Sequence, residues 1–120
     1  RLKHGKFLGE YTANVELAPN VTMRLTHEGG MAYALSYSLQ KRVNALEGGT
    51  KPQIILNGHI HKMLYMFYRG IHCFEAGTLL GQTPFMQMKG SPAHVGYWIL
   101  DINFDKRGVR SLTQQARTFY

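Results

Sequence analysis

The stretch Pro52-Gln53-Ile54-Ile55-Leu56-Asn57-Gly58-His59-Ile60-His61-Lys62 organises the reading of this chain. Ile54, Ile55 and Leu56 form a short apolar run, β-branched at two of its positions. It follows a Gly48-Gly49-Thr50-Lys51-Pro52 break and ends at Asn57-Gly58. A short apolar run bounded by turn residues is the pattern of a fully buried strand feeding a tight turn. Gly58 permits a close backbone approach or a positive φ. His59 and His61 come straight after the turn. Imidazoles at the carboxyl end of a buried strand suit metal binding, because open α/β sheets place their sites there and neutral His ligates Zn, Mn and Fe.

Upstream, Glu10 to Leu17 is rich in Tyr, Thr and Val and reads as a strand; Ala18-Pro19-Asn20 is a turn. Val21 to Thr26 alternates, with Val21, Met23 and Leu25 on one face, so the two strands form a hairpin. The second strand ends at His27, before Glu28-Gly29-Gly30, repeating the placement of His59. His-Glu-Gly-Gly lacks the second His of a zincin helix. From Met31 to Leu46, the apolar residues Ala32, Leu35, Leu39, Val43 and Leu46 recur at spacings of three and four. This predicts an amphipathic helix with Gln40, Lys41, Arg42 and Asn44 on the other side and Gly48-Gly49 as its stop. Strand, helix and strand, with a His at the end of each strand, is an α/β arrangement.

Beyond His61, Lys62 to Tyr68 and Ile71 to Glu75 read as an antiparallel hairpin turning at Arg69-Gly70 and covered on both faces. Gly77 to Pro84 is a loop and Phe85 to Lys89 a short strand. Val95 to Phe104 is a strong strand, and Val109 to Tyr120 a last one, polar on one face and so at an edge. His72 lies on a strand in an apolar setting and His94 follows Ser91-Pro92-Ala93. Neither is expected among the ligands, and Glu28 is expected as a surface acid or as an orienting partner of His27.

Composition narrows the function classes. The chain has 120 residues, the length of one domain or part of one, and begins with Arg1, as a fragment or a processed product would. No apolar run is long enough for a membrane span and no signal-peptide pattern is present. The single cysteine, Cys73, precludes an internal disulfide and fits a reducing, cytoplasmic compartment. Fourteen Lys and Arg against seven Asp and Glu give a formal charge of +7, which favours a phosphate-bearing partner. The basic residues are scattered, so no nucleic-acid arm is visible. Ser36, Ser38, Ser91 and Ser111 lie in no nucleophile elbow, so Ser/His/Asp chemistry is unsupported.

Gly58-His59-Ile60-His61, the lone His27 after the preceding strand, and Glu75-Ala76-Gly77-Thr78 in the place of an Asn-Pro-Gly-Ser turn resemble the C-terminal half of the calcineurin-like metallophosphoesterases, over residues 21 to 104. The resemblance implies an α/β fold: the C-terminal half of a four-layer α/β/β/α sandwich, with mixed, strand-rich sheets and one main helix, making residues 1–120 a single partial domain. It implies that His27 and His59 ligate one metal of a dinuclear pair and His61 the other, with two divalent ions (Mn, Fe or Zn) in the complete enzyme. It implies hydrolysis of phosphate mono- or diesters by a metal-bound hydroxide, with no protein nucleophile. The Asp-x-His, Gly-Asp-x-x-Asp and Gly-Asn-His motifs of that family are absent: Asp101 and Asp105 are the only aspartates, and no Asn precedes a His. Activity is therefore expected only with the missing N-terminal motifs. The expected partners are a phosphate-ester substrate (nucleic acid, were the parent a nuclease), no membrane, and either self-association or a chain supplying the N-terminal half. A non-catalytic phosphoesterase-like interaction scaffold and a nucleic-acid-binding module are the competing readings. No tight metal binding at the three histidines would favour the scaffold, and steeply salt-dependent nucleic-acid binding the module.

Overall fold

The apolar run at Ile54 becomes the middle strand of a five-stranded sheet. The computed structural model describes residues 5, 7–29, 35–49, 51–90 and 92–119. The elements in chain order are β1 (Thr12–Ala18), β2 (Val21–Thr26), α1 (Leu35–Asn44), β3 (Ile54–Asn57), β4 (Met63–Tyr68), β5 (Ile71–Ala76), α2 (Pro84–Met88), β6 (Gly96–Asp105) and β7 (Gly108–Thr118). The larger sheet runs β1-β2-β3-β5-β4, and β6 and β7 form a separate two-stranded ribbon. β2, β3 and β5 are mutually parallel, whereas β1 and β4 lie antiparallel at the two edges.

Parallel central strands must be covered on both faces, which is why β3 and β5 read as near-continuous apolar runs. Successive side chains alternate between the faces. On one face Ile55, Ile71 and Cys73 pack with Leu39 and Val43 of α1, with Leu46, Leu64, Met66 and Tyr68 around them. On the other, Phe74 meets Trp98 of β6 edge-on, with ring centroids 5.4 Å apart. Helix, sheet and ribbon thus stack as three layers, an α/β fold with one main helix. The ribbon is joined to the sheet through backbone contacts: Gly96 N–H donates to Thr78 O (2.8 Å), and Thr78 and Val95 form a parallel bridge. At its far end the Asn20 side chain donates to Lys106 O (2.8 Å).

The expected strands appear with ends shifted by a residue or two. The helix is observed from Leu35 to Asn44; the expected first turn at 31–34 lies outside the described residues. The segment Phe85 to Lys89 is a correction. It is helical, not extended. Thr83 caps it, its hydroxyl accepting from Met86 N–H (3.2 Å), and Pro84 occupies the first turn, where a missing N–H costs nothing. Alternation in Phe85-Met86-Gln87-Met88 resembles a strand, but the Thr-Pro cap decides the local structure.

Candidate metal centre

Parallel pairing brings the carboxyl ends of β2, β3 and β5 into line. Thr26 lies opposite Asn57, and Asn57 opposite Glu75. Beyond this row the chain leaves β2 at His27 and β3 at Gly58-His59. Gly58 N–H still donates to Thr26 O (2.9 Å), extending the ladder by one rung. His27 is anchored by its own N–H to Tyr11 O (3.0 Å). The two imidazoles consequently meet edge to face, with centroids 4.8 Å apart and planes at 89°.

The turn is strained to achieve this. His59 and His61 both hold positive φ, 90° and 56°. Such conformations cost a non-glycine residue about 1–3 kcal/mol and cluster at functional sites. Gly29 makes room for the His59 ring, since a Cβ there would stand 2.7 Å from His59 Nε2. His61 sits half-buried, with Nδ1 enclosed and without a hydrogen-bond partner. The loop before β6 braces the turn: His94 N–H donates to His61 O (2.9 Å), and His94 Nδ1 accepts from Met63 N–H (2.9 Å). Lys62 Nζ donates to Pro92 O.

The structure therefore brings His27 and His59 into contact and leaves His61 outside any larger cluster. Among the described residues no three His, Cys, Asp or Glu side chains group so as to hold a metal ion. His94 supports the backbone of the turn. His72 lies at the amino end of β5, opposite Ile54, away from the histidine turn. There its Nδ1 is 2.9 Å from the Tyr65 hydroxyl, and burial holds its pKa below the ordinary value.

Behind the histidines stands a polar network that sequence reasoning missed. Glu75 is completely buried and Asn57 nearly so. Asn57 Nδ2 donates to Glu75 Oε2 (2.8 Å) and to Glu28 O (3.2 Å). Asn57 Oδ1 accepts from the Thr26 hydroxyl (2.7 Å) and from Glu28 N–H (3.1 Å). Arg42 pairs with the Glu28 carboxylate (2.8 Å) and lies 3.9 Å from Glu75 Oε1. Arg42 thus turns inward rather than joining the solvated side of the helix. Glu28 is an exposed acid, as expected, and its carboxylate pairs with Arg42, tying the His27 loop to α1. Burial raises the Glu75 pKa, opposed by the Asn57 hydrogen bond and by Arg42. Burial and the neighbouring Glu75 push the Cys73 thiol up to about 11. The available signal was an acid inside the apolar strand Ile71-His72-Cys73-Phe74-Glu75-Ala76, since a buried carboxylate is normally paired.

The architecture is part of a Vps29-like phosphoesterase fold. The crystal structure of wild-type Vps29 from Entamoeba histolytica complexed with Zn²⁺ matches with a TM-score of 0.53 and 15% identity, covering 92% of this chain and 61% of that one. A single mutant of the same protein matches at 0.52 and 16%, covering 98% and 66%. A double mutant gives 0.53 and 15%, with the same coverage as the single mutant. At these identities the relation is a distant one of fold. The chain spans about two thirds or less of the length of these structures. No family model and no curated protein matches the sequence. No helix among the described residues is long and apolar enough to cross a membrane.

The donor set fits a metal in part. Two adjacent imidazoles, a glycine that leaves room for one ring, and the unpartnered Nδ1 of His61 suit a divalent cation. Among the described residues no carboxylate is grouped with these histidines to bridge two ions: Glu28 is engaged with Arg42, and Glu75 is buried behind Asn57.

Proposed function

We propose that this chain is the histidine-bearing part of a dinuclear-metal phosphoesterase domain that hydrolyses phosphate mono- or diesters. His27 and His59 would ligate one divalent ion and His61 the second, with the remaining ligands and the bridging carboxylate supplied from outside these residues. The observation that carries this reading is the contact between His27 and His59 at the carboxyl ends of two adjacent parallel strands. Bound there, divalent metals supply an activated water for attack at phosphorus and neutralise the phosphoryl oxygens. The chain's own contribution is to hold imidazoles at fixed separation and to keep His59 and His61 in a turn braced by His94. The basic charge favours an anionic substrate, and the single buried, free Cys73 is in keeping with a reducing, cytoplasmic setting.

The test is calorimetric titration of the chain with Zn²⁺ and Mn²⁺, alongside His27→Ala and His59→Ala variants. Expected is weak binding that both substitutions abolish, and no hydrolysis of a generic phosphodiester by the chain alone. Binding that survives both substitutions would overturn the assignment. Robust turnover by these 120 residues would show that no further ligands are needed, against the proposal.

A further inference from the structure

Asn57 occupies an unusual position relative to the two histidines in contact. Its backbone ends β3 and leads through Gly58 to His59. Its side chain reaches across to the neighbouring strand and holds the residue after His27 by both backbone groups: Glu28 N–H to Oδ1 (3.1 Å) and Nδ2 to Glu28 O (3.2 Å). One side chain thus fixes the loop carrying one imidazole, and its own backbone carries the other.

The amide is itself locked on both sides. Oδ1 also accepts from the Thr26 hydroxyl (2.7 Å), and the second hydrogen of Nδ2 goes to Glu75 Oε2 (2.8 Å). An Asn side chain has two donor hydrogens and two acceptor lone pairs, and here all four are used. The donor partners of Oδ1 and the acceptor partners of Nδ2 leave one orientation of the amide. Glu75 is held in turn by its place in β5 and by Arg42, whose guanidinium also grips the Glu28 carboxylate and carbonyl (2.8 and 2.9 Å). Glu75 Oε1 and Arg42 Nη1, 3.9 Å apart, have no hydrogen-bond partner, so the Asn57 amide is the fully satisfied part of this network, and it specifies one arrangement of the backbone around it because any shift leaves a buried group unpaired. The backbone it specifies is the one that carries His27.

We infer that Asn57 is the positioning residue of the candidate centre: its side-chain amide, oriented by Glu75, sets the His27 loop against the His59 turn so that the two imidazoles meet. This deepens the metal reading and rests on it for one of its three readouts.

The experiment compares the chain with its Asn57→Ala variant by amide hydrogen exchange, by the nuclear Overhauser contact between the His27 and His59 rings, and by Zn²⁺ titration. Expected is a rise of about tenfold or more in exchange at Glu28 N–H, loss of the ring contact, and a fall in Zn²⁺ affinity of about ten- to a hundred-fold, the range for partners that orient metal ligands. The Ile55 and Cys73 amides should keep their protection, which a general loss of stability would not allow. Unchanged exchange at Glu28 with an intact ring contact overturns the inference. So does a loosened loop with unaltered Zn²⁺ affinity. If the unsubstituted chain takes up no Zn²⁺, the metal proposal fails by itself, and exchange and ring contact still decide the role of Asn57. Should Asn57→Ala not fold, Thr26→Val removes one of the four hydrogen bonds at little change of shape and is judged by the same exchange and ring readouts, with a smaller rise expected.

Discussion

The row Thr26, Asn57 and Glu75 and the β6–β7 ribbon are built by opposite means. In the row, short parallel strands are enclosed by α1 on one face and the ribbon on the other. Ile54, Phe74, Glu75 and Cys73 have no exposure, Ile55 only 2% and Asn57 only 1%. The ribbon has the longest strands of the molecule, ten and eleven residues, yet only its glycines Gly96 and Gly108 are buried. Tyr97, Ile99 and Phe104 are 41%, 41% and 52% exposed. Strand length therefore says little about how firmly a segment is held. Position in the row is over-determined by neighbours on every side. The ribbon, as a two-stranded unit, depends on what it touches. Its anchor is Trp98, which meets Phe74 edge-on while its indole N–H donates to Glu75 O (3.0 Å).

The largest effect should come from Phe74→Ala, which removes the ring that both regions share. Loss of a fully buried Phe costs about 3–5 kcal/mol, enough to unfold much of a small domain in urea titration. A cost below about 1 kcal/mol would mean that the two layers do not rest on that contact. Trp98→Phe is milder: it keeps most of the packing and deletes the bond to Glu75 O, for about 1 kcal/mol. Hydrogen exchange should quicken in the ribbon amides and leave those of β3 and β5 unchanged. Equal acceleration everywhere would merge the two regions into one cooperative unit.

Glu75→Gln should show itself as a change of pH slope. The native pKa of Glu75 lies above its ordinary value of 4.5 through burial, so the folded state holds that proton more tightly than the unfolded chain. Its contribution to stability is complete below 4.5 and is lost as pH rises through the folded value. The difference in midpoint denaturant between the chain and the variant should therefore shift against the chain as pH rises through that window. A difference independent of pH would mean that Asn57 and Arg42 cancel the burial.

The smallest change in stability is expected from Ile99→Ser on the outer face of the ribbon, within about 0.5 kcal/mol for a surface site. Its effect should appear in light scattering. Tyr97, Ile99 and Phe119 leave apolar side chains exposed together, with Tyr97 and Phe119 rings 6.0 Å apart. We expect the unsubstituted chain to self-associate through this face, and the variant to do so less. A monomer at high concentration in both would remove that role from the ribbon.

Much of this was legible in residue patterns, for physical reasons particular to each segment. The run at Ile54 and the alternation at Val21 and Val95 announce strands, because a side-chain period of two survives whatever packs against it. Gly58-His59-Ile60-His61 and His27 marked the end of the sheet at which histidines gather. The cap at Thr83-Pro84 outweighed an alternating apolar pattern, so α2 was misread. Arg42 was placed toward solvent because helical periodicity assigns faces without knowing which charges wait across the gap. Asn57 passed as a turn residue, since an Asn before a Gly is a turn signal whether or not its side chain is used.

The sequence by itself determined the seven strands and the main helix, though not α2, and that His27 and His59 follow the ends of strands. These follow from local chemistry: β-branching, periodicity, and glycine at breaks. Only the tertiary structure decided that Thr26, Asn57 and Glu75 stand in one row, that Arg42 closes on them, and that His27 and His59 touch while, among the described residues, His61 joins no larger cluster. Those relations join residues 18 to 33 positions apart in the chain. They are set by the register of parallel strands that share no turn, and no local pattern encodes that register.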